Sequence, residues 1–455
     1  MKTLILAALL AAPAAAAIQQ PVIDKAKNCV VTIERRTTLA INGEKAGRAW
    51  ATGFVVDLKN GIIATNRHVT GTSPAKYKVT FRDGTTAPAR ALYYDPFNDF
   101  AFLKISTAEA HAGLAEAGFA AEGSLAEGSE VFLVGNNENY EYSVKTGEVV
   151  NLAVHKPPRQ TLTLQTSFDR TGGASGSPVF NARGRVAAIH SMGSDTSSFE
   201  VPAVYLQDAL YALKAGRTPR RGEPYVKLAP LLISEAVTNG RLGPAQAELL
   251  RKARPGAKRA LMVERAIPPA ALRPGDVIIS AGGAVIADDS YLFDKVMDGA
   301  AGGEAELQVF RNGSTDTVRT PVADAQALKV TKLVTFGGGV FTPYTPEEKL
   351  ETGETRDGAL MIWADKGSPF HIAGARGDDG VRVLFTELNG RKITDFDSFE
   401  KAAAEIKDKA AVNYLAVNLN SVNRSPKAGW LNADLKFWPF KAYEWSQADL
   451  DWEVK

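Results

Sequence analysis

The chain has a single cysteine, Cys29, so no disulfide can form within it, whatever the redox state around it. It has no run of roughly 20 apolar residues, which excludes a permanent membrane-spanning helix. Its formal net charge is only +2, with both signs spread along the chain, and this gives no reason to expect nucleic acid or an anionic membrane as a partner. There are only five histidines, none at a zinc-ligand spacing with Cys, Asp or Glu, and no phosphate-cradling loop is present. No cofactor and no metal are expected.

What is present in quantity is length. At 455 residues the chain exceeds one ordinary domain, and roughly 100–200 residues per domain suggests about three. Residues 1–17, with a basic start at Met1-Lys2-Thr3, a short apolar core from Leu4 and an alanine-rich end, read as a secretory signal cut near Ala17-Ile18. The mature protein is then expected to be exported, either periplasmic or secreted. Cys29 lies in the strand-like run Asn28–Ile33 and reads as a small buried apolar residue rather than a reactive thiol.

The stretch that organises the rest is Gly172-Gly173-Ala174-Ser175-Gly176-Ser177-Pro178. A serine among small residues in a glycine-rich turn admits a substrate backbone closely, and neighbouring amides can point at a developing oxyanion. Taken alone, such a turn is usually only a turn. A base is available upstream, where the apolar run from Gly61 reads as a strand ending at His68. Between the two, Asp99 immediately precedes the alternating strand Phe100–Lys104 and can fix an imidazole tautomer. The order His68, Asp99, Ser175 is that of the chymotrypsin-like double β-barrel; an α/β-hydrolase esterase places its nucleophile first.

These residues, with Ala51-Thr52-Gly53-Phe54, Thr65-Asn66-Arg67-His68-Val69 and Gly173-Ala174-Ser175-Gly176, resemble the HtrA/Deg family of trypsin-like serine proteases. The resemblance implies catalytic roles for His68, Asp99 and Ser175, an oxyanion hole from the amides of Gly173 and Ser175, and unfolded proteins or peptides as substrates. It also implies a trimer-based homo-oligomer. The chain departs from the family at Arg67, Ala174 and Ser177, none of which removes a catalytic group. A non-hydrolytic chaperone or peptide-binding scaffold is the alternative. For the substrate pocket the sequence offers Asp169, Ile189, His190, Ser191 and Glu200. Asp169 stands where trypsin-like enzymes place the acid that selects Lys or Arg, although an ion pair with Arg170 would neutralise it.

The expected fold is mostly β: a double β-barrel protease domain over residues 18–224, a PDZ-like domain over 225–325, and a divergent PDZ-like domain with an aromatic-rich extension over 326–455. The Arg217–Pro224 stretch, basic and broken by two prolines, reads as a solvated hinge. Leu272-Arg-Pro-Gly-Asp-Val-Ile-Ile resembles PDZ domains, which bind extended peptides by strand addition. In the second cycle Gly337, Gly338 and Gly339 expose amides suited to a terminal carboxylate, with Val340 and Phe341 flooring the groove. The Trp-rich tail after Arg424 is expected to dock onto its own domain.

Overall fold

In the computed structural model, the structure describes residues 18–39, 44, 46–106, 113–137, 140–156, 161–169, 172–374 and 382–455. The signal-like residues 1–17, His111 and Arg170 lie outside them. Two closed six-stranded barrels come first. Around the first run Val30–Thr37, Gly47–Asp57, Ile62–Thr65, Ala101–Ile105, Thr86–Tyr94 and Ala75–Thr80, the last pairing back onto the first. Around the second run Pro178–Asn181, Val186–Gly193, Ser198–Pro202, Thr161–Thr166, Tyr140–Lys156 and Glu130–Asn137. Closure removes the unpaired strand edges that an open sheet would present.

Several strands are apolar on both faces, and the packing explains why. Val131 and Leu133 point into the second barrel with Val149, Leu164 and Val179, while Phe132 and Val134 face the layer shared between the barrels. In the first barrel Val55 points inward and Phe54 and Val56 point to that same shared layer, which also holds Phe102, Phe180 and Leu206. Side chains alternate across a strand, so two buried faces give a continuous apolar run. Cys29 is buried in this layer, its Sγ donates to the Ala26 carbonyl at 3.1 Å, and burial pushes the thiol up to about 12.

The helix Ala203–Lys214 closes the barrel pair, and a seven-stranded sheet follows. Its order is Gly222–Glu223, Ser314–Asp324, Gly303–Arg311, Val277–Ala281, Arg259–Ala266 and Val226–Leu232, with Ala284–Val285 paired to Val277–Ala281. Pairing begins with Gly222 opposite Asp324, so this unit starts inside the stretch expected to be a linker. The hinge reading also fails at Arg221. That side chain is 7 % exposed and meets the carboxylates of Asp95, Asp294 and Asp298, because three acids brought together by the fold offset its desolvation.

The last unit is a nine-stranded sheet running from Lys427–Asn432 to Asp451–Val454, built around Phe341, Phe370, Phe385 and Phe399. The tail strand Lys441–Ser446 pairs with Lys332–Phe336, and Trp445 meets Trp452 edge-on at 6.1 Å. The tail thus docks on its own sheet, and it also reaches the first barrel, where the Asp451 carboxylate meets Lys76 and Arg90. Among the described residues no helix is long and apolar enough to cross a membrane.

Candidate active site

The strand Ile62–Thr65 stops earlier than the sequence suggests, and a single helical turn, Arg67–Thr70, carries His68. Asn66 makes the change of direction: its carbonyl accepts the amides of Val69 and Thr70, and its Nδ2 donates to the Asp99 carbonyl at 2.8 Å. Asp99 closes a tight loop in which the Asp95 carboxylate accepts the amides of Phe97 at 2.9 Å and Asn98 at 2.7 Å. The loop delivers Asp99 to His68 twice. Oδ1 accepts the His68 amide at 2.9 Å, and Oδ2 lies 2.7 Å from His68 Nδ1. From the second barrel, Ser191 Oγ also donates to Oδ2.

These contacts set the charges. Burial raises the Asp99 pKa, but the charge of His68 and the hydrogen bonds from His68 and Ser191 overcome it, and the carboxyl stays below its usual range. Burial pulls the His68 imidazole down, yet the Asp99 charge and hydrogen bond prevail, and its pKa lies above the ordinary 6.5. The His68 side chain is 48 % exposed, so its remaining nitrogen is within reach of a ligand.

Ser175 belongs to the second barrel but is pinned to the first through Thr52. The Thr52 amide donates to the Ser175 carbonyl at 2.9 Å, and Thr52 Oγ1 donates to the Gly173 carbonyl at 3.0 Å. The Thr52 carbonyl in turn accepts Thr65 Oγ1 at 2.8 Å, on the strand that leads to His68. Only glycine fits at two points of this turn. Gly176 has φ +84° and a Cβ there would stand 2.0 Å from the Thr52 carbonyl oxygen; Gly173 has φ +88°, with the Asn136 carbonyl oxygen 2.5 Å from such a Cβ. Among the described residues the amides of Gly173 and Ser175 and the Ser175 hydroxyl make no hydrogen bond. Thr52 thus ties the Ser175 turn of the second barrel to the strand of the first that leads to His68.

Residues 51–189 match the family of trypsin-like peptidase domains, and residues 248–322 match that of PDZ domains. The chain carries a trypsin-like peptidase domain joined to a PDZ domain. It is 31% identical over 336 residues to the pro-apoptotic serine protease NMA111 of Lodderomyces elongisporus, covering 71% of this chain and 34% of that one. It is 27% identical over 350 residues to Protease Do-like 7 of Arabidopsis thaliana, covering 72% and 32%. The chain thus spans about a third of the length of these curated relatives. Among solved structures, the HtrA-type protease AlgW with a tripeptide superposes with a TM-score of 0.51 at 20% identity, covering 66% of this chain and 95% of that one, a likeness of fold.

Within the peptidase domain, the residues expected to line the substrate pocket divide. Asp169 is an exposed residue ion-paired to Lys145 at 2.5 Å, which weighs against the reading as a specificity acid. Ile189 is fully buried among the shared-layer residues, and Ser191 is spent on Asp99. His190 and Glu200 form a buried pair, Nδ1 to Oε2 at 3.0 Å, and Glu200 Oε1 also accepts Thr166 Oγ1 at 2.7 Å and Ser198 Oγ. The His190 backbone lies against the Ser175 turn, its carbonyl accepting the Gly176 amide at 3.1 Å. The departures are accommodated too: Ala174 is buried, Ser177 packs against Gly135, and the Arg67 guanidinium lies over the Tyr94 ring and donates to the Pro96 carbonyl.

Outside that domain, the glycine loop of the last sheet is not a carboxylate site. Phe336 to Gly339 is a closed hairpin turn whose Gly337 amide donates to the Trp438 carbonyl at 3.3 Å, and Ser368 and Trp438 stand against Gly338. Val340 and Phe341 are buried in two different cores instead of flooring a groove. Docking of the aromatic tail on its own domain is expected from its composition, but nothing local marks this turn as the place that Trp438 fills. In the PDZ domain, by contrast, Val226–Leu232 is the outer strand of its sheet, with Pro230 exposed.

Proposed function

We propose that this chain is an HtrA-type serine endopeptidase acting through Ser175, His68 and Asp99. The observation that carries the reading is the Asp99 carboxylate held at once by the His68 amide, His68 Nδ1 and Ser191, while Thr52 ties the Ser175 turn to the strand that leads to His68. In the reaction the imidazole takes the Ser175 proton as Oγ attacks a peptide carbonyl, and Asp99 balances the resulting positive charge. The amides of Gly173 and Ser175 receive the oxyanion. His68 then gives its proton to the leaving amine, and water takes the place of that amine to hydrolyse the acyl-enzyme. Ser175 and His68 make no hydrogen bond to each other, and one is expected to form with substrate present.

The outer strand Val226–Leu232 suits capture of extended peptide by strand addition, with Pro230 removing one donor from the edge. This supports unfolded proteins or peptides as substrates. Export rests on the composition of residues 1–17, and a trimer rests on family likeness; fractionation of a tagged chain and mass photometry test them. The decisive experiment incubates the chain and Ser175→Ala with unfolded casein and follows fragments by mass spectrometry. Cleavage by the parent alone is the expected result. No cleavage by either, even with added C-terminal peptides, moves the assignment to a non-hydrolytic chaperone or scaffold.

A further inference from the structure

A cavity of about 370 Å³ lies where the first barrel, the end of the Ala203–Lys214 helix, the segment joining the two later sheets and the tail all meet. Its size falls at the small end of the range for pockets that take organic ligands. Tyr93 and Tyr94 form one wall and Trp445 and Trp452 another. Lys329 and Arg217 are its two cations, and no Asp or Glu is among the described residues lining it.

Neither cation has an ion-pair partner among the described residues. Lys329 Nζ donates to the Tyr94 carbonyl at 2.6 Å and lies 3.6 Å from the centre of the Tyr94 ring and 4.8 Å from that of Tyr93. The acids nearest in influence are committed elsewhere: Asp95 to Arg221 at 2.7 Å and Asp324 to Arg220 at 3.6 Å. The Arg217 guanidinium has no hydrogen bond or ion pair among the described residues. A largely buried ammonium facing only rings and a carbonyl is costly, and an anion in the cavity would relieve that cost. Burial lowers Lys329 to about 7, in keeping with a missing counter-charge.

We propose that this cavity binds a small monocarboxylate with an apolar body, of the size of a medium-chain fatty acid, its carboxylate held by Lys329 and Arg217 and its chain lying against Trp445 and Trp452. A peptide fits less well. The lining strands Ala75–Thr80, Thr86–Tyr94 and Lys441–Ser446 each have a partner on both sides, so a peptide's amides would find a ladder to join only at Asp451–Val454, the outer strand that carries Trp452.

The site does not depend on proteolysis, so binding is measured on full-length Ser175→Ala by titrating octanoate and following tryptophan emission and heat. Saturable one-to-one binding is expected, weakened about tenfold or more by Lys329→Met and by Arg217→Ala, with octan-1-ol at least about tenfold weaker than octanoate. Lys329→Met should keep or raise the melting temperature, since it replaces a buried unpaired charge, and Arg217→Ala changes an exposed side chain. Absence of saturation by about 5 mM, octanol binding as tightly as octanoate, or both variants binding like the parent would each overturn the proposal.

Discussion

Arg221 links the Asp99 loop to the PDZ domain, and removing it tests how the peptidase site is held. Its Nη1 lies 2.7 Å from Asp95, its Nε 3.1 Å from Asp298, and its guanidinium packs over the rings of Phe97 and Tyr205. Asp95 is fully buried and anchors the loop that ends in Asp99. Arg221→Met preserves most of the volume but leaves Asp95 without its cation, a loss of roughly 3–5 kcal/mol for a broken buried pair. At about 2–4 °C per kcal/mol for a unit of this size, the peptidase transition should fall by roughly 10 °C in a thermal melt. Because the loop also orients His68, kcat on a short peptide should fall while KM changes little, and the double variant Arg221→Met/Asp95→Asn should recover most of the stability. A single-variant loss below about 1 kcal/mol, with kcat unchanged, would refute the view that this arginine holds the loop.

Asp298, which burial pushes up to about 6, binds more protons folded than unfolded between its ordinary 3.8 and 6; its contribution is fully present at low pH and is lost as pH rises through 6. Asp298→Asn should therefore flatten the fall in stability between about pH 4 and 6, measured as the difference from the parent in urea melts. His68 must be neutral to accept a proton and its pKa is raised, so kcat/KM should rise with pH through a value above 6.5, and Asp99→Asn should shift that inflection downward as well as cutting the rate. Asp169→Ala should leave the side-chain preference of casein cleavage unchanged, whereas His190→Ala, beside the Ser175 turn, should alter it; the opposite pattern in a peptide-library profile would restore Asp169 as the selecting acid. Gly176→Ala should cost several kcal/mol or abolish folding, since its Cβ would sit 2.0 Å from the Thr52 carbonyl oxygen at a positive φ; an ordinary melt for that variant would contradict the turn geometry.

Why some of this was readable in the sequence follows from how far each interaction reaches along the chain. Asp99 could be read because a polar residue directly before an apolar strand has a local signature, and the glycines around Ser175 mark a backbone that local sterics dictate. Ser191 was noticed only as a pocket candidate, because its bond to Asp99 joins residues on different barrels and leaves no periodicity behind. Arg221 was misread for the same reason, since a basic residue among prolines looks solvated until folding brings in Asp95, Asp294 and Asp298 from either side of it. The glycine turn at Gly337 failed differently. Its backbone is as permissive as a carboxylate loop requires, but Trp438, distant in sequence, occupies the space a ligand would need. Local chemistry therefore marked the proposed reacting groups, while the side chains that hold them still or fill their neighbourhood are fixed by tertiary pairing. Ser175→Ala and His68→Ala should therefore act on kcat without greatly changing the melt, whereas variants at Arg221 should move both together.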